Sequence, residues 1–147
     1  DGSLFLDRNL IVVMRGFIAE MQETASRCRQ LNHPAFTQIG AALDSALGDM
    51  TEATDWMLAH IASAPNDCLA GATPYLRLAG TLSNGYFLAR LALAGSQLAD
   101  ADPHAGAAIS TALFFALNYL PQSSGLSAAA TAGAEHLYAL DNAQLGG

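Results

Sequence analysis

The sequence predicts an all-α protein, an antiparallel up-down four-helix bundle, from three observations. Hydrophobic residues make up 52% of the 147 residues, and alanine and leucine dominate among them. Runs of β-branched residues, which are typical of strands, are nearly absent. Breaks that contain proline or glycine divide the chain into helix-length segments, and they lie at 32–34, 64–67, 101–103 and 121–125. A chain of this length forms one domain, and we assign residues 1–147 to it.

The first two helices are predicted from apolar residues that recur every three or four positions and therefore share one helical face. The first is expected from Leu6 to Leu31 and the second from Phe36 to Ala64. The expected core face of the first helix consists of Leu6, Leu10, Val13, Phe17, Met21 and Cys28. That of the second consists of Ile39, Leu43, Leu47, Met50, Met57 and Ile61.

The third helix is expected to extend to Ala99, with Asp67 as its N-cap, because an aspartate side chain can accept from the free amides of a first turn. Pro74 predicts a kink or a late start. A fourth helix is expected from His104 to Leu120 and a fifth over 123–140. The last rod of the bundle is therefore either one helix bent at Pro121 or two helices broken there. The tail, 141–147, is expected to fray.

The bundle predicts contacts between helices. Antiparallel hairpins around Pro34 and Pro65 would place Arg15 near Glu52 and Arg77 near Asp55. They would also place Cys28 and Cys68 at opposite ends, too far apart for a disulfide. Small residues in the last two helices are expected to allow close approach (Ala107, Ala108, Ala112, Ala129 and Gly133). Two unpaired cysteines favour a reduced, cytoplasmic protein.

Charge argues against two classes of partner. The net charge is −7 and the pI is about 4.7, so the surface would repel nucleic-acid phosphates. The same acidic balance disfavours attachment to anionic membranes. The most apolar stretch, from Leu76 to Leu98, is interrupted by two arginines, which a membrane-spanning helix rarely tolerates. The chain starts at Asp1 without a signal peptide or an initiator methionine, which suggests a piece of a longer protein.

No catalytic, cofactor-binding or metal-binding residue is predicted. No glutamate is followed by histidine three residues later, as in di-iron bundles, and the four histidines lack metal-ligand spacing. No nucleophile motif or phosphate-binding glycine motif occurs. Asp49, Glu52 and Asp55 share one helical stripe, which we interpret as a solvated face rather than an acid–base pair.

Two further patterns leave alternatives open. The polar stripe of Arg77, Thr81 and Asn84 is either a buried hydrogen-bonding layer or a surface that meets a partner. The aromatic residues are interpreted as core or interface filler, whereas a ligand site built from them would need a cavity of about 300 Å³ or more. These residues are Trp56, Tyr75, Tyr86, Phe87, Phe114, Phe115, Tyr119 and Tyr138.

Several stretches of the chain carry a resemblance to a known family. They are residues 70–80 (AGATPYLRLAG) with 85–90 (GYFLAR), residues 111–121 (TALFFALNYLP), residues 131–140 (TAGAEHLYAL), and Leu6-Asp7 with residues 15–21 (RGFIAEM). In order and spacing they resemble the C-terminal extra domain of large bacterial acyl-CoA dehydrogenases of the 3-methylmercaptopropionyl-CoA dehydrogenase type. The resemblance covers nearly the whole chain.

The resemblance implies a parent enzyme that oxidises an acyl-CoA thioester at its α and β carbons, with a glutamate as base and FAD as hydride acceptor. The family's glutamate segment, Glu-Gly-Thr-Asn, is not present in this chain, and no catalytic residue is carried over. The implied role is a non-catalytic C-terminal domain that packs on the catalytic domain of its parent chain or on a neighbouring subunit of a homo-oligomer. The alternative is a free-standing helical module that binds a small apolar ligand or a partner protein.

Overall fold

A computed structural model describes residues 8–98, 102–141 and 143–146 of the chain. The elements in order are α1 (Arg8–Gln30), α2 (Pro34–His60), α3 (Pro65–Ala70), α4 (Ala72–Ser96), α5 (Pro103–Asn118), a 3₁₀ turn (Leu120–Gln122), α6 (Ser123–Ala130) and a second 3₁₀ turn (Glu135–Leu137). The described ranges contain no strand. The predicted all-α class and its helical bundle are confirmed.

Helices α1 and α2 form an antiparallel hairpin. Its turn is fixed by His33, whose Nδ1 accepts a hydrogen bond from the Ala35 amide at 3.1 Å, and by Pro34 in the first turn of α2. Arg15 forms an ion pair with Asp55, so the predicted pairing with Glu52 is wrong by three residues. Side chains on a helix lean towards its N-terminus, so an arginine on α1 reaches a residue further along the antiparallel α2.

The predicted register between α2 and the following long helix is close to the observed one, but the predicted pair is wrong. The hydroxyls of Thr54 and Tyr75 are hydrogen-bonded at 2.8 Å, which places these positions of α2 and α4 side by side. Arg77 lies two residues after Tyr75, and therefore about 200° round the helix, on a different face. It is exposed, and Asp55 is paired with Arg15 instead.

The predicted third helix is divided at Gly71 into α3 and α4. Asp67 is not an N-cap, because Pro65 starts α3 two residues earlier, and the Asp67 carboxylate accepts from the Ala134 amide at 2.8 Å. The late start predicted from Pro74 is seen, since α4 begins at Ala72. Gly71 touches α6, and a Cβ on this residue would lie 1.9 Å from the carbonyl oxygen of Ala130.

The predicted fifth helix is too long. Helix α6 ends at Ala130, and Gly133 has a φ of +79°, a left-handed conformation that interrupts a helix and that glycine adopts without strain. Pro121 separates α5 from α6: α5 stops at Asn118, because a proline ring clashes with the carbonyl four residues earlier in a helix. Within the tail expected to fray, residues 142 and 147 lie outside the described part of the chain.

Helix α2 contributes most of the largest buried side chains and contacts α1, α4, α5 and α6. Five of its six predicted core residues are fully buried, namely Ile39, Leu43, Leu47, Met50 and Met57. The prediction for α1 is right at Met21 and Cys28 but wrong at Leu10 and Val13, which are exposed. The buried positions there step back from Cys28 through Ala25 and Ile18 to Ile11, about one residue round from the predicted face.

Candidate functional site

The histidines of the described chain do not converge on a metal site. His33 caps α2, and the ring of His60 contacts its own helix through the Trp56 carbonyl at 2.8 Å and stacks on the Trp56 ring at 4.2 Å. Among the residues that the structure describes, no group of three or more histidine, cysteine, aspartate or glutamate residues is placed to hold a metal ion. His33 and His60 therefore have roles in the fold.

The acidic stripe on α2 borders an open cleft of about 610 Å³, whose lining includes two members of the stripe, Glu52 and Asp55, together with Asp44. Burial raises the pKa of Asp49, and the nearby Glu52 raises it further. The carboxylates Asp55 and Asp44 are paired with Arg15 and Arg29. The residues that line this cleft in the described chain include no arginine or lysine that could hold the pyrophosphate of FAD, so they do not fit that cofactor.

The two thiols are poor candidates for a nucleophile. Cys28 and Cys68 are both free and fully buried. Burial raises the pKa of Cys28 to about 11, against a smaller opposing effect of Arg27, and burial also raises the pKa of Cys68. Since the thiolate is the reactive form, both side chains stay protonated and unreactive near neutral pH.

The aromatic residues do not gather around one cavity. Tyr75 and Tyr86 are buried in the core, whereas Phe87, Phe114 and Tyr138 are more than half exposed. A second cleft, of about 420 Å³, lies where the α1–α2 and α4–α5 connections meet. It is lined by other residues, including Phe36, Leu98 and Ile109, so it is not the aromatic ligand site considered from the sequence.

The most distinctive surface of the described chain is the outer face of α4. Three large side chains, Leu76, Phe87 and Leu98, follow one another at intervals of 11 residues and are 44%, 52% and 55% exposed. Eleven residues are close to three helical turns, so Leu76 and Phe87 lie in one line along α4, and Leu98 follows two residues beyond the end of the helix. We define the α4 stripe as this line together with its exposed neighbours, namely Leu76, Gly80, Phe87, Leu91, Ala94 and Leu98.

Aromatic contacts beside the stripe join α4 to α1. The ring of Phe87 lies 5.3 Å from the ring of Tyr86, which in turn lies 5.6 Å from Phe17 on α1. The guanidinium of Arg90 lies 5.5 Å from the centre of the Tyr86 ring and borders the stripe on this side. Because Tyr86 is buried, these contacts belong to the core and do not widen the exposed stripe.

The polar residues beside the stripe correct one of the two interpretations made from the sequence. Arg77 and Asn84 are exposed and Thr81 is half-buried, so they do not form a buried hydrogen-bonding layer. The layer is absent because the core face of α4 is formed by Leu78, Leu82 and Ala89, which lie on the other side of the helix. The remaining interpretation is a surface that meets a partner.

Charge is distributed very unevenly over the helices. Between residues 68 and 98 the only charged residues are Arg77 and Arg90, and between 103 and 134 there are none. Helices α1 and α2 carry the acidic residues Glu20, Glu23, Asp44, Asp49, Glu52 and Asp55. The long helix with the exposed apolar stripe thus has no acidic side chain at all.

The fold and these surfaces define an all-α helical domain with an apolar outer face. No helix in the described ranges has the length and apolarity needed to cross a bilayer. Residues 17–141 match the acetyl-CoA dehydrogenase C-terminal-like family, and the chain belongs to that family. The match confirms the resemblance inferred from the sequence. Searches of curated proteins and of solved structures return no match.

The sequence contained a signal for the α4 stripe. Leu76 to Leu98 is the most apolar stretch of the chain, and its large apolar residues recur at an interval of 11 residues that the sequence analysis did not use. A helix whose apolar residues occupy the core face and also a second line on the opposite side predicts a surface that contacts another partner.

Proposed function

We propose that this chain is the non-catalytic C-terminal helical domain of an FAD-dependent acyl-CoA dehydrogenase. It packs on the catalytic domain of its parent chain or on a neighbouring subunit of a homo-oligomer. Membership of the family gives the class of enzyme. The observation that carries the packing role is the exposed α4 stripe, because apolar surface of this extent on a soluble domain usually marks an interaction site.

The chemistry of the parent enzyme resides outside this domain in our proposal. When bound there, FAD accepts the hydride. The candidate groups of this chain do not fit that work: the larger cleft is lined by carboxylates and both thiols are buried. A cytoplasmic location and the lack of nucleic-acid and membrane partners stay predictions from the sequence.

The proposal is tested by removing the domain from the complete product of its gene. The complete protein and a version that ends before Asp1 are purified and compared for flavin absorbance, thermal unfolding and oligomeric state. We expect the shortened protein to keep its flavin and to unfold at a lower temperature or lose subunit contacts. Flavin bound by residues 1–147 alone, or a shortened protein that is unchanged in all three measurements, contradicts the proposal.

A point variant of the complete protein tests whether the α4 stripe carries the effect. Leu91→Glu places a charge on the stripe at a position that is 60% exposed, so the domain itself should still fold. Gln38→Glu is the matched control, since it adds the same charge at an exposed position of α2. We expect only Leu91→Glu to reproduce the loss of thermal stability or of subunit contacts.

A further inference from the structure

We propose that the cleft of about 420 Å³ at the α1–α2 and α4–α5 connections binds a small neutral amphiphile, namely an aliphatic alcohol. The apolar chain of the ligand packs on the buried part of the cleft, and its hydroxyl group contacts His33 and Asp102. The cleft is separate from the α4 stripe except at Leu98. This binding role is therefore independent of the packing role proposed above.

The space in the cleft depends on small residues where α4 and α5 meet. Gly95 of α4 lies so close to α5 that an added Cβ would be 3.3 Å from the Cα of Ala105. Gly106, the next residue of α5, also lines the cleft, and an added Cβ there has no atom of the described chain within 4 Å. The missing side chain at Gly106 thus leaves space that a ligand can occupy.

Most of the lining is suited to an aliphatic chain. Its larger apolar members are Phe36, Leu98, Pro103 and Ile109. Small-molecule sites have volumes of roughly 300–1,000 Å³ and combine a mainly apolar lining with a few polar groups. At about 420 Å³ this cleft is within that range, and its lining fits a ligand with an apolar body and one polar head group.

The capping role of His33 determines which hydrogen bond this residue can offer to a ligand. Its Nδ1 accepts from the amide of Ala35 at 3.1 Å, so this nitrogen carries no proton. In a neutral imidazole the proton is then on Nε2. His33 therefore contributes a hydrogen-bond donor to the cleft, and the ligand must supply an acceptor.

Asp102 supplies the complementary acceptor. Its Oδ1 accepts from the amide of His104 at 2.9 Å and so caps α5, while its Oδ2 has lone pairs that can accept from a ligand. A hydroxyl group satisfies both residues, because its oxygen accepts from His33 and its proton is donated to the Asp102 carboxylate.

The charge of the cleft favours a neutral head group over an anionic one. The described lining includes the Asp102 carboxylate and no arginine or lysine. Pro34 and Pro103, the first residues of α2 and α5, have no N–H, and the amides that follow them are bonded to the capping side chains. A fatty-acid carboxylate would therefore meet a like charge, with only His33 as a donating side chain.

Titration of the ¹⁵N-labelled 147-residue chain with octanol tests the site by NMR. We expect saturable shifts of the Ala35, Gly95 and Gly106 amides. Octanoate, which is ionised at pH 7, should bind at least about fivefold more weakly. The absence of saturable shifts at these amides up to the solubility limit of octanol overturns the proposal, as do shifts confined to the α4 stripe around Phe87.

A pair of glycine variants tests the position of the ligand. Gly106→Leu fills the cleft, and Gly125→Leu is the matched control on α6, because an added Cβ at either glycine has no described atom within 4 Å. We expect Gly106→Leu to weaken octanol binding at least about tenfold, since the leucine displaces methylene groups of the ligand. Gly125→Leu should leave it unchanged. Equal affinities of the two variants overturn the assignment to this cleft.

Two further variants test the head group while a capping side chain is kept, because asparagine also caps helices. Asp102→Asn should remove most of the preference for octanol over octanoate. His33→Asn removes the ring donor and should weaken octanol binding about fivefold. An unchanged preference in the first variant overturns the role of the carboxylate, and an unchanged affinity in the second overturns that of the imidazole.

Discussion

At the scale of single residues, Asp67 connects two parts of the chain that are far apart in sequence. It lies in the short helix α3, and its Oδ1 accepts a hydrogen bond from the amide of Ala134, just beyond α6. The intervening Gly133 has a positive φ that turns the chain towards this contact. The bond thereby fixes the position of the segment that follows the last helix.

Replacing Asp67 with alanine is expected to lower the free energy of unfolding by about 1–2 kcal/mol, because the Ala134 amide loses its acceptor. Asp67→Asn keeps a side-chain carbonyl oxygen and should lose less than half of that amount. Urea denaturation measures both changes, and hydrogen exchange of the Ala134 amide reports the local effect. Equal exchange rates at Ala134 in the two variants would show that the contact does not hold this segment.

Asp67 also shows what could be predicted at this scale. Its tendency to accept backbone hydrogen bonds near a helix start is a local property, and the sequence predicted it. Its actual donor lies 67 residues away, so only the folded chain could reveal it. The same holds for Arg15. The sequence predicted that it approaches a carboxylate of α2, but not that this carboxylate belongs to Asp55.

At the scale of elements, helix α2 was the most predictable because its apolar residues keep one helical spacing over most of its length. The core face of α1 was harder to predict, because apolar residues occur on two adjacent faces near the start of this helix. Their spacing alone does not decide which face is buried. Helices α4 and α6 were predicted with wrong ends because contacts at Gly71 and Asp67 end or divide the helical pattern.

Gly71→Ala tests the contact between the α3–α4 junction and the end of α6. An added Cβ would lie 1.9 Å from the Ala130 carbonyl oxygen, so the backbone must move, and we expect a loss of roughly 2–3 kcal/mol or more in unfolding free energy.

Gly48→Ala is the control for the Gly71 variant, because a Cβ built at this position of α2 has nothing within 4 Å. It should gain about 0.5–1 kcal/mol from the better helix propensity of alanine. Chemical denaturation measures both variants. A Gly71 variant as stable as the unmodified chain would mean that the junction and α6 do not touch closely.

At the scale of the whole molecule, the acidic residues are concentrated on α1 and α2 while the second half of the fold is almost uncharged. Within the acidic part, burial and the neighbouring Glu52 both raise the pKa of Asp49. A folded-state pKa above the unfolded value means that the protonated form stabilises the fold. That contribution is complete below the unfolded pKa of 3.8 and is lost as the pH rises through the folded pKa.

Asp49→Asn is therefore expected to stabilise the chain at pH 7 by about 0.2–0.5 kcal/mol, the typical cost of a like-charge pair on one helical face. The gain should disappear near pH 3, where the carboxyl group is already protonated. Asp44→Asn is the control, since it removes an equal charge but also breaks the ion pair with Arg29 at 2.9 Å. Urea denaturation at the two pH values measures the difference, and an equal gain from both variants would contradict it.

The uneven distribution of charge also limits which surfaces can meet. Helix α2 carries four carboxylates and no arginine or lysine, whereas α1 carries four arginines beside two glutamates. Once the outer surface of α4 is covered by a neighbour, two α2 faces still repel each other, so a further copy that approaches through α2 is disfavoured at low ionic strength.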